Sequence, residues 1–235
     1  MPGHRANPGR SSSGSIRTVI QVNPDDANGV VYRVSHQENG MANQTTQPPA
    51  TAMESQAQQG SGAPLALQRV GANARNQIKV SSPAIHGTIS KMQSEYGDGV
   101  SPELWWERVE GAKSYALILE DPDARSPSPF VHWVAYNIPA DLSSLPEGLQ
   151  EQERLTEPAG LLQGRTSKGN VGYFGPRPPV GDPPHHYHFQ VFALDSELAV
   201  PPGAERDDVL KAMSGHVLGA GELVGTYQQT TEPAQ

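Results

Sequence analysis

No cysteine occurs among the 235 residues, which excludes disulfides, thiolate catalysis and cysteine-ligated zinc and is neutral on redox compartment. No apolar run approaches the length that spans a bilayer, and the N-terminus has no continuous apolar h-region, so a soluble, cytoplasmic protein is the expectation. Also missing are the His-Glu-x-x-His helix of a zinc hydrolase and the Gly-x-Ser-x-Gly elbow of a serine hydrolase. Basic residues are too few to track a nucleic-acid backbone. The five Lys/Arg and four Asp/Glu before residue 75 leave twelve against twenty-one after it, a balance of −9 that argues against nucleic acid as a partner.

Hydrophobic residues make up only 35% of the chain, which is modest for a sequence that is globular throughout. The deficit lies in residues 1–74, where runs such as Ser11-Ser12-Ser13-Gly14-Ser15 and Gln56-Ala57-Gln58-Gln59-Gly60-Ser61-Gly62 cannot bury enough apolar area to offset chain entropy. Residues 1–74 are expected to be a mostly disordered extension and 75–231 the folded domain. Thr18–Val22 and Val30–Val34 could pair as a hairpin, although an isolated hairpin is marginal in water. Met41 offers an alternative start to Met1.

From Arg75 onward the pattern is of short strands between Gly/Pro turns. Tyr115–Leu119, Val131–Ile138, Tyr187–Leu194 and Glu222–Gln228 are strand-like in length and content. One helix is predicted over Glu205–Met213, acidic in its first turn and stopped by Gly215. Several strands with few helices indicate an all-β sandwich or a β-rich α+β domain.

Strand alternation sorts the polar residues. In an extended chain His185 and Tyr187 share a face with Phe189 and Val191, and His186 and His188 take the other. Asp121 is in phase with Leu117 and Leu119, and His132 with Val134, Tyr136 and Ile138. Polar groups are thus aimed where apolar ones are expected. Taken singly, each is most simply a satisfied core residue; together they suggest a site, because an unpaired buried polar group costs about 1–3 kcal/mol. Pro122, Pro176, Pro178 and Pro179 stiffen the two adjoining loops, and Gly172 and Gly175 permit close backbone approach and leave N–H groups for an anion. Imidazole, phenol and backbone N–H all suit a small oxyanion such as phosphate. In the pair Trp105-Trp106, alternation sends one ring inward and leaves the other near the surface. His216, beside Gly215, reads as a cap at the helix C-terminus.

The motifs Val100-Ser101-Pro102-Glu103-Leu104-Trp105-Trp106, Asp121-Pro122-Asp123-Ala124, His132-Trp133-Val134-Ala135-Tyr136-Asn137-Ile138-Pro139, Gly172–Phe189 and Gly215–Tyr227 occur in an order that resembles the phosphatidylethanolamine-binding proteins, within them the bacterial and archaeal Raf kinase inhibitor-like branch. The resemblance runs from about Ile78 to Tyr227. It implies a mainly β fold of two antiparallel sheets with a few short peripheral helices. It also implies a non-enzymatic pocket for phosphate, a phosphoryl headgroup or a similar small anion, with no cofactor. Carried over residue by residue, that pocket comprises Asp121, Asp123, His132, Gly175, Pro176, His185 and Tyr187. Asp121 would orient a histidine, and His132, His185 and Tyr187 would donate to the anion. A regulated protein partner and a homodimer are further expectations.

Three residues depart from the pattern: Arg125 replaces the usual proline, His186 the usual arginine, and Phe130 stands where tryptophan is frequent. Loss of a guanidinium at His186 weakens the case for phosphate, and Arg125 could restore the charge. Two alternatives use the same groups: a metal site on Asp121, His132 and His185, and a hydrolase in which a His–Asp pair activates water.

Overall fold

The computed structural model describes residues 62–230; the possible hairpin and Met41 lie outside them. Among the described residues nine strands form two sheets. In chain order they are β1 (Asn76–Gln77), β2 (Val80–Ser81), β3 (Leu104–Trp106), β4 (Ser114–Asp121), β5 (Phe130–Pro139), β6 (Ser144–Leu145), β7 (Leu162–Gln163), β8 (His185–Leu194) and β9 (Val217–Tyr227). The large sheet has the order β1-β9-β8-β4-β5-β7 and the small one β2-β3-β6. Pairing is antiparallel except for β1, which runs parallel to β9. The helices are α1 (Arg206–Met213), a five-residue turn over Leu67–Gly71 and a three-residue turn over Lys91–Gln93.

Every residue of β4 is buried because both faces of the large sheet are covered. Tyr115, Leu117 and Leu119 pack with Tyr187, Phe189 and Val191 against Val80, Leu104, Trp106 and Leu145 of the small sheet. Ala116, Ile118 and Phe192 pack on the other side with Val209, Leu210 and Met213 of α1 and with Ala66. The described residues therefore form three layers, and the parity of each central strand selects the layer that a side chain enters. Glu120 and Asp121 are sent to opposite sides. Trp106 is buried and Trp105 is 46% exposed, as alternation requires.

The packed chain begins before the expected boundary at residue 75. Leu65 and Ala66 are buried, and the backbone N–H groups of Ala66 and Leu67 donate to Glu120 Oε2 and Gln190 Oε1 at 2.7 and 2.6 Å. Composition averaged over the N-terminal region hid this short apolar segment.

His132 is also placed differently from simple alternation. Leu119 pairs with Trp133 and Glu120 with Val131, so His132 sits in a β-bulge with no partner on β4. A bulge breaks the period of two and re-aims a side chain. Val134 and Tyr136 face the helix layer, whereas the His132 ring lies against Tyr187, with centroids 5.1 Å apart. Ile138 too leaves the expected face and joins the core between the sheets. Between them Asn137 adopts a left-handed φ of 52°, which its side chain supports through paired hydrogen bonds with the backbone of Leu198.

Candidate functional site

The C-terminal end of β4, the start of β5 and the start of β8 converge at one end of the large sheet. Between them lies a cavity of about 130 Å³, lined by Asp121, Ala124, Arg125, Phe130, His132, Phe174, Arg177, Pro178, Pro179, Asp182 and His185.

At its base Asp121 and His185 form a buried pair, with Nδ1 of His185 donating to Asp121 Oδ2 at 2.8 Å. The other oxygen of Asp121 accepts the backbone N–H groups of Asp123 and Ala124 at 2.8 and 3.1 Å, so the carboxylate both shapes its loop and orients the ring. Burial lowers the proton affinity of His185, but the hydrogen bond and charge of Asp121, with Asp123 and Asp182, outweigh it and raise the pKa above its ordinary value. His185 is held toward the imidazolium form.

His132 is tuned the opposite way. Burial pulls its pKa down to about 4, against the opposing pull of the Phe174 carbonyl and Asp121. Its Nδ1 lies 2.7 Å from the Phe174 carbonyl oxygen, which can only accept, so Nδ1 carries the proton and Nε2 of the neutral ring is an acceptor. The Nδ1 proton of His132 is therefore given to the Phe174 carbonyl.

Tyr187 is fully buried and lies behind the two histidines, edge-on to His132 and stacked on His185. Its hydroxyl has no hydrogen-bond partner among the described residues. Burial, reinforced by Asp121, pushes the phenol far up and keeps it protonated.

The remaining expected positions do not line the cavity. The Gly175 N–H is taken by Glu95 Oε1 at 2.8 Å, and a Cβ there would lie 2.4 Å from the Gln93 carbonyl. The close approach that glycine permits is therefore to the chain at 93–95, and its N–H is not left for an anion. Pro176 accepts the N–H of Glu95 through its carbonyl and serves the same anchoring. Asp123 accepts from the backbone N–H and Nδ1 of His186, both at 2.8 Å, on the outer face that alternation assigned to His186. His216 pairs with Asp195 at 2.7 Å, in addition to donating its backbone N–H to the Met213 carbonyl at the helix end.

Alternation could not find Arg177 and Asp182, which lie in irregular loop. The one signal was their place between Gly175-Pro176 and Pro183-Pro184, a stiffened segment leading into β8. Of the three groups of the metal alternative, Asp121 and His185 bond each other and Nδ1 of His132 bonds the Phe174 carbonyl; among the described residues no group of three or more His, Asp or Glu is placed to hold a metal ion.

A three-layer β sandwich with a small charged pocket at the ends of its central strands is the class that fold and site define. The sequence profile described as phosphatidylethanolamine-binding protein matches residues 79–228, and the chain belongs to that family. A UPF0098 protein of Pyrococcus abyssi is 41% identical over 169 residues, covering 70% of this chain and 93% of that protein. One from Methanothermobacter thermautotrophicus is 48% identical over 144 residues, covering 61% and 92%. Among solved structures, Escherichia coli YbcL, described as a new member of the mammalian family, matches at a TM-score of 0.61 and 31% identity over 65% of this chain and 98% of its own. A putative family homologue from Chlamydia trachomatis matches at 0.58 and 35%, over 66% and 99%. Among the described residues no helix is long and apolar enough to cross a membrane.

Proposed function

We propose that the pocket binds a small oxyanion, free phosphate or the phosphoryl group of a headgroup, without turning it over, and that occupancy modulates contact with a protein partner. The observation that carries this reading is the buried Asp121–His185 pair at 2.8 Å at the base of a cavity rimmed by Arg125 and Arg177. An imidazolium fixed by a carboxylate presents its second N–H as a charge-assisted donor, and guanidinium groups at the rim supply planar donors for phosphoryl oxygens. Neutral His132 adds an acceptor, which favours an anion carrying one P–OH. The family description, phosphatidylethanolamine-binding protein, is consistent with a phosphoryl ligand.

Proton affinity speaks against His132 as the base of a hydrolase. A general base works best as a neutral group with a pKa near the working pH, and His132, at about 4, is too weak a base.

Calorimetric titration with inorganic phosphate and with O-phosphorylethanolamine tests the reading. Asp121→Asn keeps the shape of the side chain but weakens the acceptor, and affinity should fall by roughly tenfold, the size of one charge-assisted hydrogen bond. Turnover of p-nitrophenyl phosphate by the wild type, abolished in Asp121→Asn, would replace this reading with the hydrolase.

A further inference from the structure

Asp182 carries a charge that opposes an incoming anion, yet its carboxylate points at the groups such an anion would use. Its Oδ1 meets Arg125 Nη2 at 2.8 Å, and its Oδ2 stands 3.8 Å from His185 Nε2. The carboxylate thus lies against two of the cationic donors that an oxyanion in this cavity would meet, Arg125 and His185. The two partners of the ion pair differ in freedom. The side chain of Asp182 is 11% exposed and that of Arg125 is 68% exposed. Asp182 is held by its backbone: its N–H donates to the Pro179 carbonyl, the neighbouring Gly181 N–H to the Gln229 carbonyl, and Gln228 Nε2 to the Asp182 carbonyl at 2.9 Å. Pro183 and Pro184 come directly after it and restrict the chain further. A fixed acid therefore faces a movable guanidinium at the rim of the cavity.

We infer that Asp182 is an internal counter-ion occupying the anion position of the pocket, and that a ligand is admitted when Arg125 exchanges Asp182 for it. This rests on the anion-binding reading of the same cavity and adds its selectivity. The resident carboxylate repels an anion at hydrogen-bonding range of His185 and repels a dianion about twice as strongly as a monoanion. The exchange sets a threshold, so only an anion able to take at least two oxygens to Arg125 and His185 competes with a carboxylate already there. A monoanionic phosphate or phosphate monoester satisfies both conditions, and a halide satisfies only the first.

Titration with inorganic phosphate at pH 6.0 tests the exchange. That pH lies below the ordinary imidazole value, and His185 keeps in either protein its hydrogen bond to Asp121, which with the charges of Asp121 and Asp123 raises its pKa against burial. Asp182→Asn preserves the size of the side chain and should bind phosphate at least tenfold tighter than the wild type. Arg125→Ala should bind it more weakly than the wild type, because Asp182 then remains at His185 with no cation to exchange. Combining the two substitutions should recover most of the loss. A second readout needs no ligand: the His185 ring, followed by nuclear magnetic resonance, should titrate at lower pH in Asp182→Asn than in the wild type. Phosphate binding by the wild type with equal or weaker binding by Asp182→Asn overturns the inference and leaves the anion-binding reading standing. Absence of binding by wild type and Asp182→Asn alike overturns that reading, and the inference with it. Binding by Asp182→Asn alone supports the inference in its strongest form.

Discussion

Two histidines of one pocket are driven apart in proton affinity by their surroundings. His185 shares its Nδ1 proton with Asp121, and its raised pKa contributes stability that is fully present below the unfolded value of about 6.5 and is lost as pH rises through the folded value. His132 works in the opposite direction. Its folded pKa of about 4 lies below the unfolded one, so the unfolded chain takes up a proton first and stability falls as pH drops from about 6.5 toward 4. From residue types alone both rings would be expected to charge between pH 8 and 6; burial takes His132 out of that range. His132→Asn, which retains a donor for the Phe174 carbonyl, should lose about 2 kcal/mol less than the wild type between pH 7 and 4.5. Urea unfolding at the two pH values measures this, and equal losses would contradict the burial of a neutral ring.

At the scale of elements, β4 carries adjacent acids that serve different layers. Asp121 builds the pocket, while Glu120, fully buried, pairs with Arg206 at the start of α1, accepts Nε2 of Gln190 at 2.8 Å and accepts the N–H of Ala66 at 2.7 Å. One carboxylate thereby joins the sheet, the helix and the segment Leu65–Gly71. Burying such a charge is tolerable only while its partners stay in place. A chain lacking residues 1–74 should therefore be less stable than one lacking 1–61 by about 2–4 kcal/mol, from one buried and one partly buried hydrogen bond and the packing of Leu65 and Ala66. Urea denaturation of the two truncated chains gives the difference. Equal stability would show that the segment only rests on the sheet. The boundary expected at residue 75 would have cut through this contact.

For the whole molecule, a ligand that binds only the folded state stabilises it by mass action. Phosphate at a hundredfold excess over its dissociation constant should add about 2.7 kcal/mol, a rise in melting temperature of several degrees for a domain of this size. The rise should shrink in Asp121→Asn and grow in Asp182→Asn at equal phosphate concentration. A thermal scan in phosphate against a chloride buffer of equal ionic strength provides the check; no shift in any of the three would count against an anion site. The negative balance of the domain opposes long-range attraction of anions, so affinity must come from the local array of donors, and added salt should weaken binding only modestly.

Local period and composition were enough for part of this molecule, and for that part the sequence by itself was decisive. The alternation of β8 put His185 and Tyr187 inward and His186 outward, the phase of β4 put Asp121 beside them, and the run of separated motifs carried the fold class and the family. Tertiary structure decided everything that depends on which chain lies across the gap. His132 reaches Tyr187 only because β5 carries an extra residue opposite β4, and a bulge is defined by the partner strand, not by the residues that form it. Gly175 gives its N–H to Glu95, eighty residues away in sequence, so the residue type suggested an anion contact that the fold had already filled. Arg177 and Asp182 have no period to betray them, since loop residues take their direction from anchors such as Gln228. The proton affinities of His132 and His185 came last of all, because burial and neighbouring charge exist only once the three layers have closed.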